Sequence, residues 1–600
     1  MLINNDFSDD SFAGRLARIR RAMQEAHVGA FLVPVADEYQ GEYPPPSARR
    51  LEWLTGFTGS AGLVAVTQDN AALFVDGRYT VQARQQVDMR HYEQKDLMRD
   101  SVAVWVGDHV AAGGALGFDP WLHTQASVKD LREKLEKENI TLLPCFPNLI
   151  DTIWEDRPAV PCEPVETYPE AYAGESAADK RARIAETLKE KGIAAAIIAA
   201  PDSINWLLNI RGGDVRHTPL ALGYALLEDN GAVRLFMDAA KISDAVRQHL
   251  GAEVHITPLD ELAKAFTALK GKKVLYDARR AASWFHAALT QAGAEVVEGD
   301  DPCLLPKDCK NATEIQGMRN AHIRDGVALT RFLYWLDKTV AMREVTELEA
   351  ERKLLAFRKE QPLFREPSFD TIAGSGAHGA IVHYRATEAS NAVLEPNSLF
   401  LLDSGGQYLD GTTDVTRTVA VGAPTEEQKR RFTQVLKGHI ALGNCVFPKG
   451  IAGHHLDVLA RRALWHEGLD YAHGTGHGVG AFLCVHEGPQ SISLRSGVPL
   501  EPGMVVSNEP GFSKEGEYGM RIESLVVVCE KEGFGGGDRP FYGFETLTLA
   551  PIDRNLILPE LLTVEEKAWL NAYHAHVYAT LSGLLSAEER EWLEGKTRAV

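Results

Sequence analysis

Three aspartates stand in "LLDSGGQYLDGTTDVTR" (401–417). Asp403 closes an apolar run, Asp410 precedes a glycine, and Asp414 opens a second strand-like run. Aspartate in a glycine-rich loop is ordinarily turn chemistry, and Asp410 before Gly411 reads that way. Charged groups among apolar strand residues are a different matter, because they are seldom buried unless paired or bound to metal. If "SLFLL" and "VTRTVAV" form a hairpin, Asp403 and Asp414 are near neighbours across it on one face. Two carboxylates so close repel each other unless a cation lies between them.

Histidines come next. "YAHGTGHGVGAFLCVHEG" (471–488) sets His473, His477 and His486 among glycines and apolar residues. Histidine is the commonest metal ligand and the usual acid or base at neutral pH, and glycine leaves room for a ligand. A lone histidine reads as a core residue, but three within fourteen residues weaken that reading. In "VVSNEPGFSKEGEYGMRIESLVVV" (505–528), Glu509 sits at a strand edge and Glu523 lies among Ile, Leu and Val. Arg521, two residues before Glu523, points to the same face and suits a carboxylate. Four carboxylates and an imidazole form an oxygen-rich set, fitted to a pair of Mn, Co or Fe divalent ions. Carboxylates of this kind bridge hydrolytic two-metal sites with ions about 3.5–4 Å apart.

The elements that carry these residues belong to a chain of 600 residues, too long for one core. The first half repeats itself. "LARIRRAMQEAHVGAFLVP" (16–34) and "RARIAETLKEKGIAAAIIAA" (181–200) both read as an amphipathic helix followed by a buried strand. "LEWLTGFTG" (51–59) is echoed by "INWLLNIRG" (204–212), "AALFVDGRYT" (71–80) by "VRLFMDAAKI" (233–242), and "GALGFDP" (114–120) by "KKVLYDA" (272–278). These are two related α/β domains, 1–158 and 159–308, joined through a Pro- and Glu-rich linker at 155–179. A third unit, 309–536, opens with a long helix whose capping box is predicted at Thr313 and Gln316. Beyond 370, short Val/Ile/Thr runs broken by glycine predict antiparallel strands, hence an α+β domain. Residues 537–600 form a short C-terminal appendage.

Acids outnumber bases 83 to 63, a net charge of −20 that repels nucleic acid and anionic membranes. Neither is expected as a partner. The seven cysteines include no C-x-x-C pair, which argues against a disulfide scaffold or thiolate zinc site. "MLINNDFSDD" lacks the basic and apolar regions of a signal peptide, and the apolar run 192–200 is too short to span a bilayer. The cytoplasm is the expected location.

The order Asp403, Asp414, His477, Glu509, Glu523 resembles the dinuclear metallopeptidases of the pita-bread fold, among them methionine aminopeptidase, prolidase and aminopeptidase P. "HGTGHGVGAFLCVHEG" is similar to the proline-peptidase signature, and "GAIVHY" (379–384), "NEPG" and "GMRIES" look like aminopeptidase P segments. Two creatinase-like N-terminal α/β domains, a pita-bread catalytic domain and a C-terminal appendage resemble the long, three-domain cytosolic Xaa-Pro aminopeptidases.

The resemblance implies an aminopeptidase that releases the first residue of peptides with proline second, through a hydroxide bridging two divalent ions. Mn²⁺ is the metal expected, with Co²⁺ or Zn²⁺ as alternatives. It implies metal ligation by Asp403, Asp414, His477, Glu509 and Glu523, with Glu509 also the general base. His383 and His486 are implied as catalytic, substrate-contacting histidines, His473 as a residue near the proline pocket, and Arg521 as the partner that orients a ligand carboxylate. Arg78 in "VDGRYT" resembles an arginine that reaches the substrate; an exposed arginine in a turn is its other reading. Tyr384, Phe482 and Tyr518 are candidates to line a proline pocket, Phe482 also a candidate for the core. A homodimer is expected from relatives of this length. Prolidase, methionine aminopeptidase and a non-catalytic pita-bread binding protein are the competing readings. The full ligand set speaks against the last, and the domain architecture and the "HGTGHGVG" form against methionine aminopeptidase.

Overall fold

The computed structural model describes residues 10–533 and 539–600. Residues 1–9, nearly all of the segment read as lacking signal-peptide features, and the domain boundary at 536/537 fall outside the described residues. Two compact units make up the chain. One comprises Met1–Tyr168, Glu175–Arg216 and Leu220–Cys303; the other comprises Pro169–Gly174, His217–Pro219 and Leu304–Val600.

The first unit contains two six-stranded sheets of one topology. In one, the strands lie in the order Glu93–Asp96, Ala71–Val75, Leu63–Thr67, Ala30–Pro34, Ala115–Phe118, Thr141–Pro144. In the other the order is Val254–Thr257, Val233–Phe236, Tyr224–Glu228, Ala195–Ile198, Lys273–Tyr276, Glu295–Glu298. The pairing senses match as well: the fourth strand of each sheet is antiparallel to the third and parallel to the fifth. Both fourth strands are buried along their whole length, which is why they read as unbroken apolar runs rather than as alternation. The echoed segments fall on equivalent elements. The helix before each fourth strand, Phe12–Glu25 or Ala177–Glu190, starts at a serine whose hydroxyl accepts a first-turn N–H. Even the turn after the second strand is shared: Asp76 Oδ1 accepts from Arg78 N (3.0 Å), and Asp238 Oδ1 accepts from Ala240 N (2.9 Å). The expected linker is shorter than 155–179. Glu166–Thr167 pairs with Ile210–Arg211, and Ser176 starts its helix at Ala177.

In the second unit, the Ala312–Val340 helix is 29 residues long. Its capping box is formed by Asn311 and Glu314, not by Thr313 and Gln316. The Asn311 side chain accepts from Thr313 N (2.9 Å) and Glu314 N (3.0 Å), and the Glu314 carboxylate accepts from Asn311 N (3.0 Å). Asn311 is the last extended residue, so only its side chain precedes the open N–H groups; Thr313 is already in the first turn. The helix lies against the turn at Asp410: a Cβ on Gly317 would stand 2.2 Å from the Asp410 carbonyl oxygen.

Strands after 370 are antiparallel. Ser398–Ser404 lies between Ile372–Ser375 and Val415–Val421. The chain between them folds into a smaller hairpin, Gly406–Tyr408 with Gly411–Thr412, whose turn holds Asp410. Asp410 is also ion-paired to Arg324 of the long helix. A six-stranded sheet runs Val446–Pro448, Phe541–Thr546, Ser524–Glu530, Val505–Asn508, Gly476–Gly478, Glu487–Ile492. The first strand of the 537–600 segment is thus built into this sheet, with Val526 opposite Thr546. The Val564–Leu581 helix buries Leu570, Val577 and Leu581 in the cluster that holds Val435 and Leu436 of the Glu426–Gly443 helix. The cysteines are unbridged, and no helix among the described residues is long and apolar enough to cross a membrane.

Candidate metal centre

Strand ends of the second unit deliver the acids. Asp403 lies near the end of Ser398–Ser404, opposite Thr416, and Asp414 immediately precedes Val415–Val421. His477 is the middle residue of Gly476–Gly478, Glu509 follows Val505–Asn508, and Glu523 joins Tyr518–Arg521 to Ser524–Glu530. Their ligand atoms converge. Three overlapping groups, Asp403/Asp414/Glu523, His477/Glu509/Glu523 and Asp414/His477/His486, each have one atom per residue within 4.8 Å of the others. His477 Nε2 stands 3.4 Å from Asp414 Oδ2 and 3.6 Å from Glu509 Oε1. Its Nδ1 faces the Gly478 carbonyl at 2.9 Å and donates to it, which leaves Nε2 facing the acids.

Hydroxyls hold the carboxylates. Thr416 Oγ1 donates to Glu523 Oε2 (2.7 Å) and accepts from Arg521 Nε (3.1 Å). Arg521 also forms an ion pair with Asp403. Ser507 Oγ accepts from His477 N (2.9 Å) and donates to Glu509 Oε1 (3.1 Å). Thr416 and Ser507 were not found from sequence. A hydroxyl in an apolar strand carries no distinctive pattern, and its meaning depends on strand register.

The electrostatics are those of crowded, buried acids. Burial pushes the Asp403 carboxyl up to about 6; Arg521 opposes the rise, and the charges of Asp414 and Glu509 add to it. Burial, with Asp414, Asp403 and Glu509 nearby, drives Glu523 well above the carboxylate range. Burial would lower His477, but its bond to Asp414 and the charge of Glu509 carry it to about 9. Asp403 Oδ1 and Asp414 Oδ1 are buried with no hydrogen-bond partner. Two bare carboxylate oxygens in one buried cluster fit a bound divalent cation, which satisfies such lone pairs where no donor is present.

The other candidates take varied positions. His486 packs edge-on to His477, ring centroids 4.3 Å apart. His473 Nδ1 lies 3.9 Å from Glu509 Oε2. His383 is half-buried beyond the Gly376–Ala380 turn, outside the three ligand groups. Arg78 lies in the first unit, where it is paired with Asp76 (2.7 Å) and stands over the Tyr79 ring. Tyr384, Phe482 and Tyr518 are all buried. The Tyr384 hydroxyl donates to Glu347 Oε2 (2.9 Å), and Tyr518 packs near Phe512.

Residues 316–530 match the metallopeptidase family M24. Residues 15–153 and 156–314 each match a creatinase/prolidase N-terminal domain, and 540–600 match the C-terminal region of peptidase M24. The probable Xaa-Pro aminopeptidase P of Aspergillus flavus is 40% identical over 98% of this chain and 92% of its own length. That of Paracoccidioides brasiliensis is 39% identical over 98% and 99%. The crystal structure of X-prolyl aminopeptidase from Caenorhabditis elegans, described as a cytosolic enzyme with a di-nuclear active site, superimposes with a TM-score of 0.94. It shares 34% identity and covers 99% of this chain and all of its own. On these similarities and on the convergence of its acids and histidines, the chain belongs to metallopeptidase family M24, among the Xaa-Pro aminopeptidases.

Proposed function

We propose that this chain hydrolyses the first bond of peptides whose second residue is proline, releasing the N-terminal residue. The observation that carries this reading is the convergence of Asp403, Asp414, His477, Glu509 and Glu523 in overlapping groups. Those five residues hold a pair of divalent cations. When bound, the cations supply Lewis acidity at the scissile carbonyl and lower the pKa of water.

The rest of the chemistry falls to side chains of the chain. Glu509, held by the Ser507 hydroxyl, accepts the proton of the attacking water and returns it to the departing proline nitrogen. That nitrogen belongs to a tertiary amide with no N–H of its own. His486 and His383 donate to the oxygen on which negative charge develops. His473 lies beside the proline ring, Arg521 fixes the Asp403 carboxylate, and Arg78 binds substrate.

The oxygen-rich ligand set favours Mn²⁺, with Co²⁺ and Zn²⁺ as alternatives. A homodimer and a cytoplasmic location complete the proposal; the location is supported by the unbridged cysteines and by the cytosolic description of the Caenorhabditis elegans enzyme. We divide the chain at 158/159, 308/309 and 536/537.

Arg-Pro-Pro is the test substrate. Cleavage to Arg and Pro-Pro is expected, lost with a chelator and restored by Mn²⁺; no cleavage with any divalent metal refutes the function. Asp414→Ala and Glu523→Ala should each lower kcat by more than about 100-fold, beyond what loss of an outer-shell contact causes. Unimpaired activity in either refutes the site. Prolidase is the second reading, favoured only by the shared catalytic motifs, and a strong preference for Arg-Pro over Arg-Pro-Pro would establish it.

A further inference from the structure

Arg417 is buried next to the candidate metal centre, yet it pairs with no carboxylate among the described residues. Its guanidinium is satisfied entirely by neutral oxygens. Nη1 donates to the carbonyls of Thr416 (2.9 Å) and Glu523. Nε donates to the Pro551 carbonyl (3.2 Å), and Nη2 to the Ala550 carbonyl (3.0 Å) and the Tyr573 hydroxyl (2.8 Å). Burying an arginine this way is costly unless every N–H is used, and here all are. Two neighbours register its charge: burial together with Arg417 brings His574 down to about 4 and His439 to about 3.

The partners fall into two sets. Thr416 and Glu523 belong to the metal centre; the Thr416 hydroxyl also holds the Glu523 carboxylate. Ala550, Pro551 and Tyr573 belong to the C-terminal segment, and the single Tyr573 O–H is shared between the carbonyls of Thr548 and Ala550, each at 3.0 Å. One side chain therefore joins the backbone of an acidic site residue to the C-terminal helix.

We infer that Arg417 and Tyr573 are positioning residues for Glu523, and that the C-terminal region is thereby a working part of the metal centre. The inference rests on the assignment of Glu523 as a metal ligand. Arg417 fixes the Glu523 main chain while Thr416 fixes its carboxylate, and the C-terminal segment anchors Arg417. Without the anchor, Glu523 loses its aim, so metal affinity and kcat fall while substrate affinity does not.

The test compares wild type, Tyr573→Phe and Arg417→Lys by calorimetric titration with Mn²⁺, electron paramagnetic resonance of the bound ions, circular dichroism, and kinetics on Arg-Pro-Pro. Tyr573→Phe keeps the ring that stacks on Trp569 and removes only the hydroxyl. Expected are wild-type circular dichroism, Mn²⁺ affinity and kcat each lowered about 10-fold, KM within about two-fold, and an altered spectrum of the bound Mn²⁺. Arg417→Lys, which keeps the charge but loses the fork, should be weaker still than Tyr573→Phe. Folded variants that bind Mn²⁺ with wild-type stoichiometry, affinity and spectrum overturn the inference. Should Arg417→Lys fail to fold, Tyr573→Phe decides alone. A wild-type protein that binds no pair of Mn²⁺ ions overturns the metal reading itself, and this inference with it.

Discussion

Asp403 and Glu523 hold their protons more tightly in the metal-free fold than in water, and this has a definite sign. The Asp403 pKa rises from 3.8 to about 6, so in that window the folded protein binds more protons than the unfolded chain. The contribution of this group to stability is therefore full below the window and lost as pH rises through it. Divalent cations at these groups would displace those protons, and the proton that His477 holds up to about 9, so Mn²⁺ binding should tighten as pH rises from 5 to 9 and release protons. Calorimetry in buffers of different ionisation enthalpy measures the release; binding independent of buffer and pH would contradict it. Ser507 offers a second check. Ser507→Ala removes the donor to Glu509 and the acceptor for His477 N, and kcat should fall about 10-fold with the fold intact. At this scale the sequence displayed the acids and histidines because charge in an apolar strand is conspicuous. Thr416, Ser507 and Arg417 stayed hidden because their importance lies in which strand faces which.

The long Ala312–Val340 helix illustrates what local pattern settles and what it leaves open. Its amphipathic period was readable, but two cap patterns, Asn311 with Glu314 and Thr313 with Gln316, stand two residues apart. Only backbone conformation chooses between them, and Asn311 is the extended residue. Asn311→Ala should cost about 1 kcal/mol, Thr313→Ala much less, as read from urea unfolding midpoints. The same helix passes so close to the Asp410 turn that Gly317→Ala would place a methyl 2.2 Å from a carbonyl oxygen. Overpacking of that kind costs about 1–3 kcal/mol. Because the turn lies between Asp403 and Asp414, Mn²⁺ affinity should drop along with the melting temperature.

At the scale of the whole chain, the unit that holds the candidate metal centre is not one stretch of sequence, since residues 169–174 and 217–219 belong to it. Within that unit Asn311 Nδ2 donates to the Ala173 carbonyl (2.8 Å), and His217 Nε2 lies 3.0 Å from Asp370 Oδ1. A fragment of residues 304–600 lacks both partners and should melt below the intact chain in calorimetry. No periodicity announces such short insertions, whereas the repeat in the first half was legible because each copy needs the same buried strands. That repeat gives the molecule a built-in control. The second copy carries no arginine at the equivalent position: Ala240 occupies it, and Asp238 closes the turn as Asp76 does. Arg78→Ala should then leave stability within about 0.5 kcal/mol of wild type. Any activity lost in that variant measures what the arginine does beyond closing the turn.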